Sequence, residues 1–397
     1  MANSNGKSNQ TQAPILVLGL GHTGINALCS LANAGVGEEV QCIAIDADAK
    51  DLEFARQAGI QALRLGDETQ NGGGTAGDWT MGNLLLKDEA ESIASLPVGR
   101  RLIIVMAGLA GGIGGALDGL LSIMENDNDV PVLALCVMPF HFESTERKRH
   151  ADEVLPALSL FCRAVILAPN DILLAQYKDC PALKAHALAS RFLAETVMDL
   201  TIPLAKTNLF NMNPEMIAKI CVDSNPQCYI AQAECNSENV AEICESIAEN
   251  PLFKLPKFVE NVDRAIALLR VSGDCTDNDL DNVLSSLSKK LPSGIMEAAA
   301  CADNELDCRI RVTLLLHFNG NFSQTDGAAQ PGNAKPARSR RGKGGASEHQ
   351  LEFSYDACDS LGIFHEDVQP ANKDEWLDRP TFVRRGITID KGVNIGK

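Results

Sequence analysis

Short apolar runs recur along the first part of the chain, and glycine or polar sequence bounds each of them. They lie at residues 15–18, 40–45, 102–106, 130–138 and 164–168. A short uninterrupted apolar run is typical of a strand that is buried on both faces of a parallel sheet. Helical periodicity or loop sequence lies between the runs, and the first helical pattern continues through Asn33. This alternation predicts an α/β fold in which helices cover both faces of a parallel sheet.

The second half of the chain has a different pattern. An amphipathic stretch from about Pro181 to Leu200 predicts a long central helix, and a smaller unit of mixed helices and strands follows Pro203. Branched and apolar residues at 307–316 predict the strand that closes this unit. Residues from 319 to about 350 are rich in Gly, Ala, Ser, Pro, Lys and Arg without apolar periodicity, which is typical of a flexible linker.

These patterns divide the chain into six predicted segments. They are a disordered lead (1–13), a first α/β domain (14–179), a central helix (180–203), a second α/β domain (204–318), a mostly flexible linker (319–373) and a C-terminal segment (374–397).

Composition excludes several classes of protein. Hydrophobic residues make up 45% and charged residues 22%, as in soluble globular proteins. The formal charge of −17 disfavours nucleic acid as a partner, because phosphate backbones attract clustered Lys and Arg. The apolar run at 102–117 is too short and too glycine-rich to cross a membrane.

The thirteen cysteines include no Cys-x-x-Cys pair, and the start of the chain lacks the apolar core of a signal peptide. We therefore expect reduced thiols and a cytoplasmic location. Cys221, Cys228 and Cys235 recur every seven residues, but Pro226 interrupts any helix that would align them, so no metal site is predicted.

The first glycine cluster, residues 19–24 (GLGHTG), follows the first predicted strand and opens a helix. This Gly-x-Gly-x-x-Gly pattern suits a phosphate held on backbone N–H groups. Asp46 and Asp48 end the next strand, roughly where a dinucleotide-binding fold places its ribose-binding acid. An NAD-dependent oxidoreductase is therefore one open alternative.

Two further glycine clusters, at residues 72–77 (GGGTAG) and 107–116 (AGLAGGIGGA), are not needed by a dinucleotide site. Glycine turns at the ends of neighbouring strands suit a polyphosphate that accepts hydrogen bonds from several loops. The alternative is that these glycines only form tight turns.

The order of these loops resembles the FtsZ family of bacterial tubulin homologues, which bind GTP and polymerise into the division ring. Residues 110–116 (AGGIGGA) stand where that family has Gly-Gly-Gly-Thr-Gly-Thr-Gly, and 137–143 (VMPFHFE) resembles its Thr-Arg-Pro-Phe-x-Phe-Glu. Residues 169–171 resemble its Pro-Asn-Asp. The resemblance covers about residues 14–318, including 250–252, 271–274 and 311–313, and resumes near the end of the chain.

This resemblance implies a tubulin/FtsZ-like two-domain fold: a Rossmann-like GTP-binding domain at 14–179, a central helix and a smaller second domain. It implies GTP as the ligand, with Mg²⁺ left open. The matching ligand-binding positions are Gly21, His22, Thr23, Gly24, Ile25, Asn26, Gly74, Thr75, Ala76, Gly108, Ala110, Gly111, Gly112, Ile113, Gly114, Glu143, Arg147, Asn170, His186 and Ser190.

Within this set the family assigns Glu143 to ribose, Arg147 to the phosphate side and Asn170 to the base or sugar. Glu143 and Arg147 also fit ordinary surface charges, and Asn170 also fits a helix cap.

Several positions depart from the family pattern. Ile113 and Gly115 replace threonines, one of which contacts phosphate in the family. His186 and Ser190 replace the Phe and Asp that stack on and read the purine. Since Ser190 cannot present a bidentate carboxylate to guanine, the sequence supports nucleotide binding better than it supports a preference for guanine.

The family completes GTP hydrolysis with acids of a loop from the next protomer, Asn-x-Asp-x-x-Asp. If Asn211 takes the Asn position, the acids become Asn213 and Met216, and Glu215 is the nearby acid. An amide cannot act as a base, so weakened hydrolysis is expected. An FtsZ-like paralogue that binds nucleotide and co-assembles or regulates without hydrolysis is the second alternative. Asn211 and Asn213 also fit caps of a helix that begins at Pro214.

Residues 377–385 (LDRPTFVRR) resemble the C-terminal peptide with which this family docks on membrane-tethering partners. Its candidate contacts are Leu377, Asp378, Pro380, Phe382, Val383, Arg384 and Arg385. A solvated basic tail is the simpler alternative. The expected partners are further copies of this chain in a head-to-tail filament and membrane-tethering division proteins, with no nucleic acid and no direct membrane insertion, in the cytoplasm at the division site.

Overall fold

The structure is a computed structural model. It describes residues 13–66, 73–124, 130–176, 182–205, 208–210, 216, 220, 227–236, 241–255, 258–291 and 295–318.

The strands of the described residues form one eleven-stranded sheet. They are β1 (Ile15–Leu20), β2 (Val40–Asp46), β3 (Gln61–Arg64), β4 (Leu102–Gly108), β5 (Val132–Met138), β6 (Ala164–Pro169), β7 (Asn208–Phe210), β8 (Gln227–Cys235), β9 (Val262–Val271), β10 (Ile295–Ala302) and β11 (Ile310–Phe318). Their order across the sheet is β3-β2-β1-β4-β5-β6-β8-β11-β9-β10-β7.

The sheet is parallel from β3 through β6 and mixed beyond it. Strand β8 continues the parallel part through only three residue pairs with β6, from Val165↔Gln227 to Leu167↔Tyr229. Strand β11 then pairs antiparallel with both β8 and β9. Strand β10 is parallel to β9, and β7 is antiparallel to β10. The chain therefore changes from parallel to antiparallel pairing just beyond β8.

Ten α-helices connect or cover these strands in the described part of the chain. They are α1 (Gly21–Ala34), α2 (Ala49–Gln57), α3 (Trp79–Asp88), α4 (Ala90–Ala94), α5 (Leu117–Met124), α6 (Thr145–Leu158), α7 (Asn170–Gln176), α8 (Ala182–Ala205), α9 (Ala241–Glu249) and α10 (Asp277–Lys290). Polar residues start several of them: Asp48 caps α2, Asp78 caps α3, Ser144 caps α6, and Thr276 forms a capping box at α10.

Core residues lie on both faces of the sheet, as predicted for strands that are apolar throughout. Leu16 and Leu18 of β1 belong to one buried cluster, while Ile15 and Val17 belong to the other together with Leu28 of α1. This alternation follows from the two-residue period of a strand. The predicted α/β class and the long central helix are both confirmed.

The last strand begins later than predicted, at Ile310 instead of residue 307. Residues before it form a loop in which Arg309 Nη2 donates to Asp279 Oδ2 of α10 at 2.8 Å. The strand thus begins at the first apolar residue after the polar residues Asp307 and Arg309. The predicted division into two domains stays a prediction, and residues 1–12 of the lead, the linker and the C-terminal segment lie outside the described residues.

A buried ionic network joins α8 to the antiparallel part of the sheet. Asp199 of α8 accepts from Arg270 Nη1 of β9 at 2.9 Å and from Arg311 Nε of β11 at 3.0 Å. It also accepts from the Thr313 hydroxyl, and Asp303 accepts from Arg270 Nε at 3.0 Å. All these side chains are almost fully buried. Although burial lowers the pKa of a guanidinium, the neighbouring carboxylates more than offset this effect and raise the pKa of both arginines.

None of the helices in the described part of the chain combines the length and apolarity needed to cross a bilayer.

Candidate functional site

A cleft lies where β1, β4, β5 and β6 end and α8 begins. Its lining residues are His22, Thr23, Asn26, Gly108, Ala110, Gly111, Val137, Met138, Pro139, Glu143, Arg147, Asn170, His186, Ala189 and Ser190. The carboxyl edge of a parallel sheet is where α/β proteins commonly bind ligands. Loops that are far apart in the sequence therefore meet in one place.

Most of the lining had been predicted from the sequence, and four residues had not. Val137 and Met138 are the last two residues of β5, Pro139 follows them, and all three belong to the motif that contains Glu143. Ala189 lies one helical turn after His186 on α8. That spacing of three is the signal that would have identified Ala189, because residues three apart share a helix face.

Close packing at Gly24 fixes the first loop against the sheet. A Cβ placed on Gly24 would lie 2.2 Å from the Met106 carbonyl oxygen of β4. Only glycine therefore lets α1 start so close to β4, which brings His22, Thr23 and Asn26 to the cleft. Ile25, by contrast, is buried in the core, so its side chain does not reach the cleft.

Gly112 packs the third glycine cluster against the second. Its Cβ would lie 1.8 Å from Thr75 Oγ1, which leaves no room for any side chain. The predicted residues Gly21, Gly24, Ile25, Gly74, Thr75, Ala76, Gly112, Ile113 and Gly114 lie outside the cleft lining. Six of them (Gly21, Gly24, Ile25, Gly112, Ile113 and Gly114) are buried, whereas Gly74 and Ala76 are exposed.

His150 supports the third cluster from α6, and the sequence had given no indication of it. Its ring stacks on Trp79 with centroids 3.9 Å apart, and its Nε2–H donates to the Gly115 carbonyl at 2.8 Å. The side chain is buried. A loop of glycines has few side chains of its own to hold its shape, so this contact orders the loop from outside.

Glu143 and Arg147 face the cleft as an ion pair. Arg147 Nη1 donates to Glu143 Oε2 at 3.2 Å, and Glu143 Oε1 accepts from the Phe140 backbone N–H at 2.9 Å. A Cβ on Gly77 would lie 3.0 Å from Arg147 Nη2, so the second glycine cluster adjoins this guanidinium. The carboxylate of this pair can accept hydrogen bonds from hydroxyl groups, and its guanidinium can bind an anion.

The central helix and the start of α7 form the opposite wall. Asn170 and Ser190 are both buried, and the Ser190 hydroxyl donates to the His186 carbonyl at 3.1 Å. His186 meets the Phe140 ring edge to face with centroids 5.5 Å apart. This wall therefore offers one amide, one hydroxyl oxygen and an exposed imidazole plane.

His22 is held by partners on two helices. Its Nδ1 lies 3.0 Å from each Asp51 carboxylate oxygen, and Nε2 accepts from Asn26 Nδ2 at 2.9 Å. The hydrogen bond to Asp51 raises the pKa of His22 above 6.5 and outweighs the opposing effect of partial burial. The sequence predicted His22 but not its carboxylate partner.

Asp46 lies beside this pair and accepts the Ala47 N–H at 2.7 Å and the Asp48 N–H at 3.3 Å on the same oxygen, Oδ1. Burial raises the pKa of Asp46 to about 6, although these two backbone hydrogen bonds act in the opposite direction. Asp46 and Asp48 had suggested a ribose-binding acid, but here Asp46 bonds its own turn and Asp48 caps α2.

Replacing Asp46 with Asn is expected to stabilise the protein at alkaline pH. The unfolded carboxyl titrates near 4, so the native state binds the extra proton between about pH 4 and pH 6, and stability falls as the pH rises through that window. Asn keeps an oxygen for both backbone N–H groups and removes the buried charge. We expect urea unfolding at about pH 8 to give a gain of ~1–3 kcal/mol, and no gain near pH 4.

Asp281→Asn, on the exposed side of α10, is the matched control and should change stability little at either pH. An equal gain for Asp46→Asn at both pH values would contradict the burial argument.

The predicted catalytic positions Asn211, Asn213 and Glu215 lie outside the described residues, and so do the predicted tail contacts at 377–385. Of the three spaced cysteines, Cys228 and Cys235 occupy the two ends of β8, while Cys221 is outside the described residues.

Comparison with known proteins agrees with this geometry. Residues 14–178 match the GTPase domain of the Tubulin/FtsZ family. The cell division protein FtsZ of Methanothermobacter thermautotrophicus is 25% identical over 308 residues, which cover 77% of this chain and 79% of that protein. FtsZ of Coxiella burnetii is 23% identical over 391 residues, covering 96% of this chain and 98% of that protein.

A solved structure of an FtsZ dimer from M. jannaschii, described as empty, has the same fold. It superposes with a TM-score of 0.67 at 25% identity and covers 78% of this chain and 89% of that one.

Proposed function

Because this chain is a divergent FtsZ-like protein with a Tubulin/FtsZ-type GTPase domain, we propose that it binds GTP in the cleft and assembles head to tail into filaments that act in cell division. At the family level it is a GTP-binding cytoskeletal protein of cell division. The observation that carries the finer proposal is the cleft, which brings together the first and third glycine clusters, Glu143 with Arg147, and the start of α8.

Different parts of the cleft suit the phosphates, the ribose and the base of a nucleotide. Thr23, Asn26 and the glycine turn at 108–111 would hold the phosphates, because short side chains and backbone N–H groups bind such anions. Glu143 and Arg147 would contact the ribose and the phosphate side. Asn170, His186 and Ser190 would surround the base.

No resident metal is part of this proposal. Within the described residues, no group of three or more His, Cys, Asp or Glu side chains is arranged to hold an ion. A Mg²⁺ ion that accompanies the triphosphate would be bound largely by the phosphates and water.

We propose that hydrolysis is weakened, because Asn213 and Met216 stand where the family's loop has its two acids. Phosphoryl transfer depends on positioning and charge stabilisation, so the loss of an acid slows turnover without preventing assembly. Self-association is supported by the FtsZ dimer structure, and contacts between unlike surfaces of successive protomers produce open filaments.

The tail proposal is that residues 377–385 dock on a membrane-tethering partner. Leu377, Phe382 and Val383 would fill apolar pockets while Arg384 and Arg385 meet acidic rims. The alignment with the Coxiella protein covers 96% of this chain and therefore extends beyond residue 318.

Sedimentation of the purified full chain with GTP, with GDP and without nucleotide tests the proposal. We expect protein to enter the pellet with GTP and to stay in the supernatant without nucleotide, because the triphosphate completes the contact between protomers. Phosphate release is measured in the same samples and should be slow. Assembly with no phosphate release at all would favour the non-hydrolysing paralogue, and a chain that neither binds GTP nor assembles at any concentration would refute the proposal.

A further inference from the structure

We propose that His22 is a pH-dependent phosphate ligand of the nucleotide cleft, whose imidazolium form, oriented by Asp51, binds the phosphates and whose neutral form does not. This inference rests on the proposed nucleotide binding. It adds to that function a specific cation and a consequence, namely that nucleotide affinity falls as the pH rises.

Geometry places the ring for this role. His22 lines the cleft beside Thr23 and Asn26, and its side chain is 72% exposed, so one edge of the ring is open to a ligand. Asp51 is only 22% exposed and binds Nδ1 from α2. Because Asp51 occupies Nδ1, Nε2 is the nitrogen that can exchange its hydrogen bond with Asn26 for one with an anion.

Proton chemistry decides which form can bind. In the neutral ring, Nδ1–H donates to Asp51 and Nε2 accepts from the Asn26 amide. A protonated ring carries an N–H on both nitrogens, so Nε2–H and the amide N–H then face each other as two donors. A phosphate oxygen that accepts from Nε2–H resolves this conflict, as does rotation of the Asn26 amide.

The charges around His22 favour its protonated form. Asp46, Asp48 and Asp51 approach it from the end of β2 and the start of α2, and all three raise its pKa. Glu143, Arg147 and His186 line the other parts of the same cleft. If His22 were neutral, no positive charge would lie between a phosphate at this loop and the three nearby carboxylates, and they would repel the phosphate.

The direction of the pH dependence follows from linkage. Bound phosphate raises the pKa of His22 further, so binding takes up protons in the pH range between the free and bound values. Affinity is constant below the free pKa, falls as the pH rises through this range, and is constant again above it. Because Asp51 raises the free pKa above the ordinary 6.5 of histidine, the fall lies above pH 6.5.

The test is calorimetric titration of GDP into the dilute full chain from about pH 6 to about pH 8.5, for the wild type and His22→Gln. GDP avoids turnover, and the ratio of the two dissociation constants at each pH cancels the titration of the nucleotide itself. At the acidic end we expect the wild type to bind GDP about tenfold more tightly than His22→Gln does. At the alkaline end the two dissociation constants should agree within about twofold. Titrations in two buffers of different ionisation enthalpy should detect more proton uptake by the wild type than by His22→Gln, because the contribution of the nucleotide is common to both.

Two further variants isolate the pair. Asp51→Asn should shift the fall in affinity to lower pH, because it removes the main cause of the raised pKa. His141→Gln is the matched control: His141 pairs with Asp171 at 2.7 Å and is similarly exposed, but it lies outside the cleft lining. It should keep the wild-type profile.

The same pH profile and proton uptake in His22→Gln as in the wild type would overturn this inference and leave the proposed function intact. A wild type that binds neither GDP nor GTP at any pH would refute the proposed function itself, and this inference with it.

Discussion

Gly112→Asp is expected to weaken GTP binding at least about 100-fold and to abolish nucleotide-dependent assembly. Any side chain at this position meets Thr75 Oγ1, which would lie 1.8 Å from the added Cβ. The loop must therefore move away from the second glycine cluster, and the new carboxylate adds repulsion towards phosphate. Filter binding of labelled GTP and sedimentation measure the two effects.

Three companion variants make this result interpretable. Gly37→Asp adds the same charge at an exposed glycine with nothing within 4 Å, and it should bind GTP normally. Gly112→Ala separates the steric effect from the charge. Ala110→Asp places a carboxylate directly in the cleft lining without depending on that clash. Wild-type affinity in both Gly112→Asp and Ala110→Asp would mean that the nucleotide binds elsewhere.

Asp199→Ala is expected to reduce the free energy of unfolding by ~3–5 kcal/mol. The substitution leaves Arg270 and Arg311 buried with one carboxylate fewer, and it removes the acceptor of the Thr313 hydroxyl. The cost arises from the uncompensated buried charge more than from the lost contacts. Urea unfolding followed by circular dichroism measures it.

The matched control is Arg149→Ala, which breaks the exposed pair with Glu153 on α6. Both partners of that pair are more than half exposed, so its loss should cost less than ~1 kcal/mol. Asp199→Asn should fall between the two, because the amide keeps the shape and an acceptor but not the charge. Equal stability of Asp199→Ala and Arg149→Ala would show that the buried network contributes little.

Most of the parallel half of the fold could be predicted because β1, β4, β5 and β6 contain no polar residue. Runs such as 102–106 and 164–168 match β4 and β6 closely, since a strand buried on both faces leaves no polar position to confuse the pattern. The short strand β3 has no fully buried residue and followed no such pattern. The order of the mixed strands depends on long-range pairing, such as β11 between β8 and β9, which no local pattern encodes.

The site was predictable as a set of loops but not as a set of contacts. A glycine motif indicates where the backbone turns, but not which neighbouring side chains face the ligand, and so Ile25 was included although it lies in the core. Asp51 is 29 positions from His22 and becomes its partner only because β1 and β2 are adjacent and parallel. His150 reaches the third cluster from α6, 35 positions away.

Among the interior ladders of the described sheet, the three-pair contact between β6 and β8 is the shortest and forms a weak seam; the edge strand β7, with two pairs to β10, is held by fewer. Strand β11 is joined to β8 by eight residue pairs and to β9 by nine, so a load applied across the strands would part the sheet at β6 before either of those ladders yields. Helix α8 packs against α1 on one side of this seam and against β9 and β10 on the other. Helix α8 thus connects the two parts of the sheet. The mechanical stability of a single molecule therefore depends more on the packing of this helix than on the hydrogen bonds between β6 and β8.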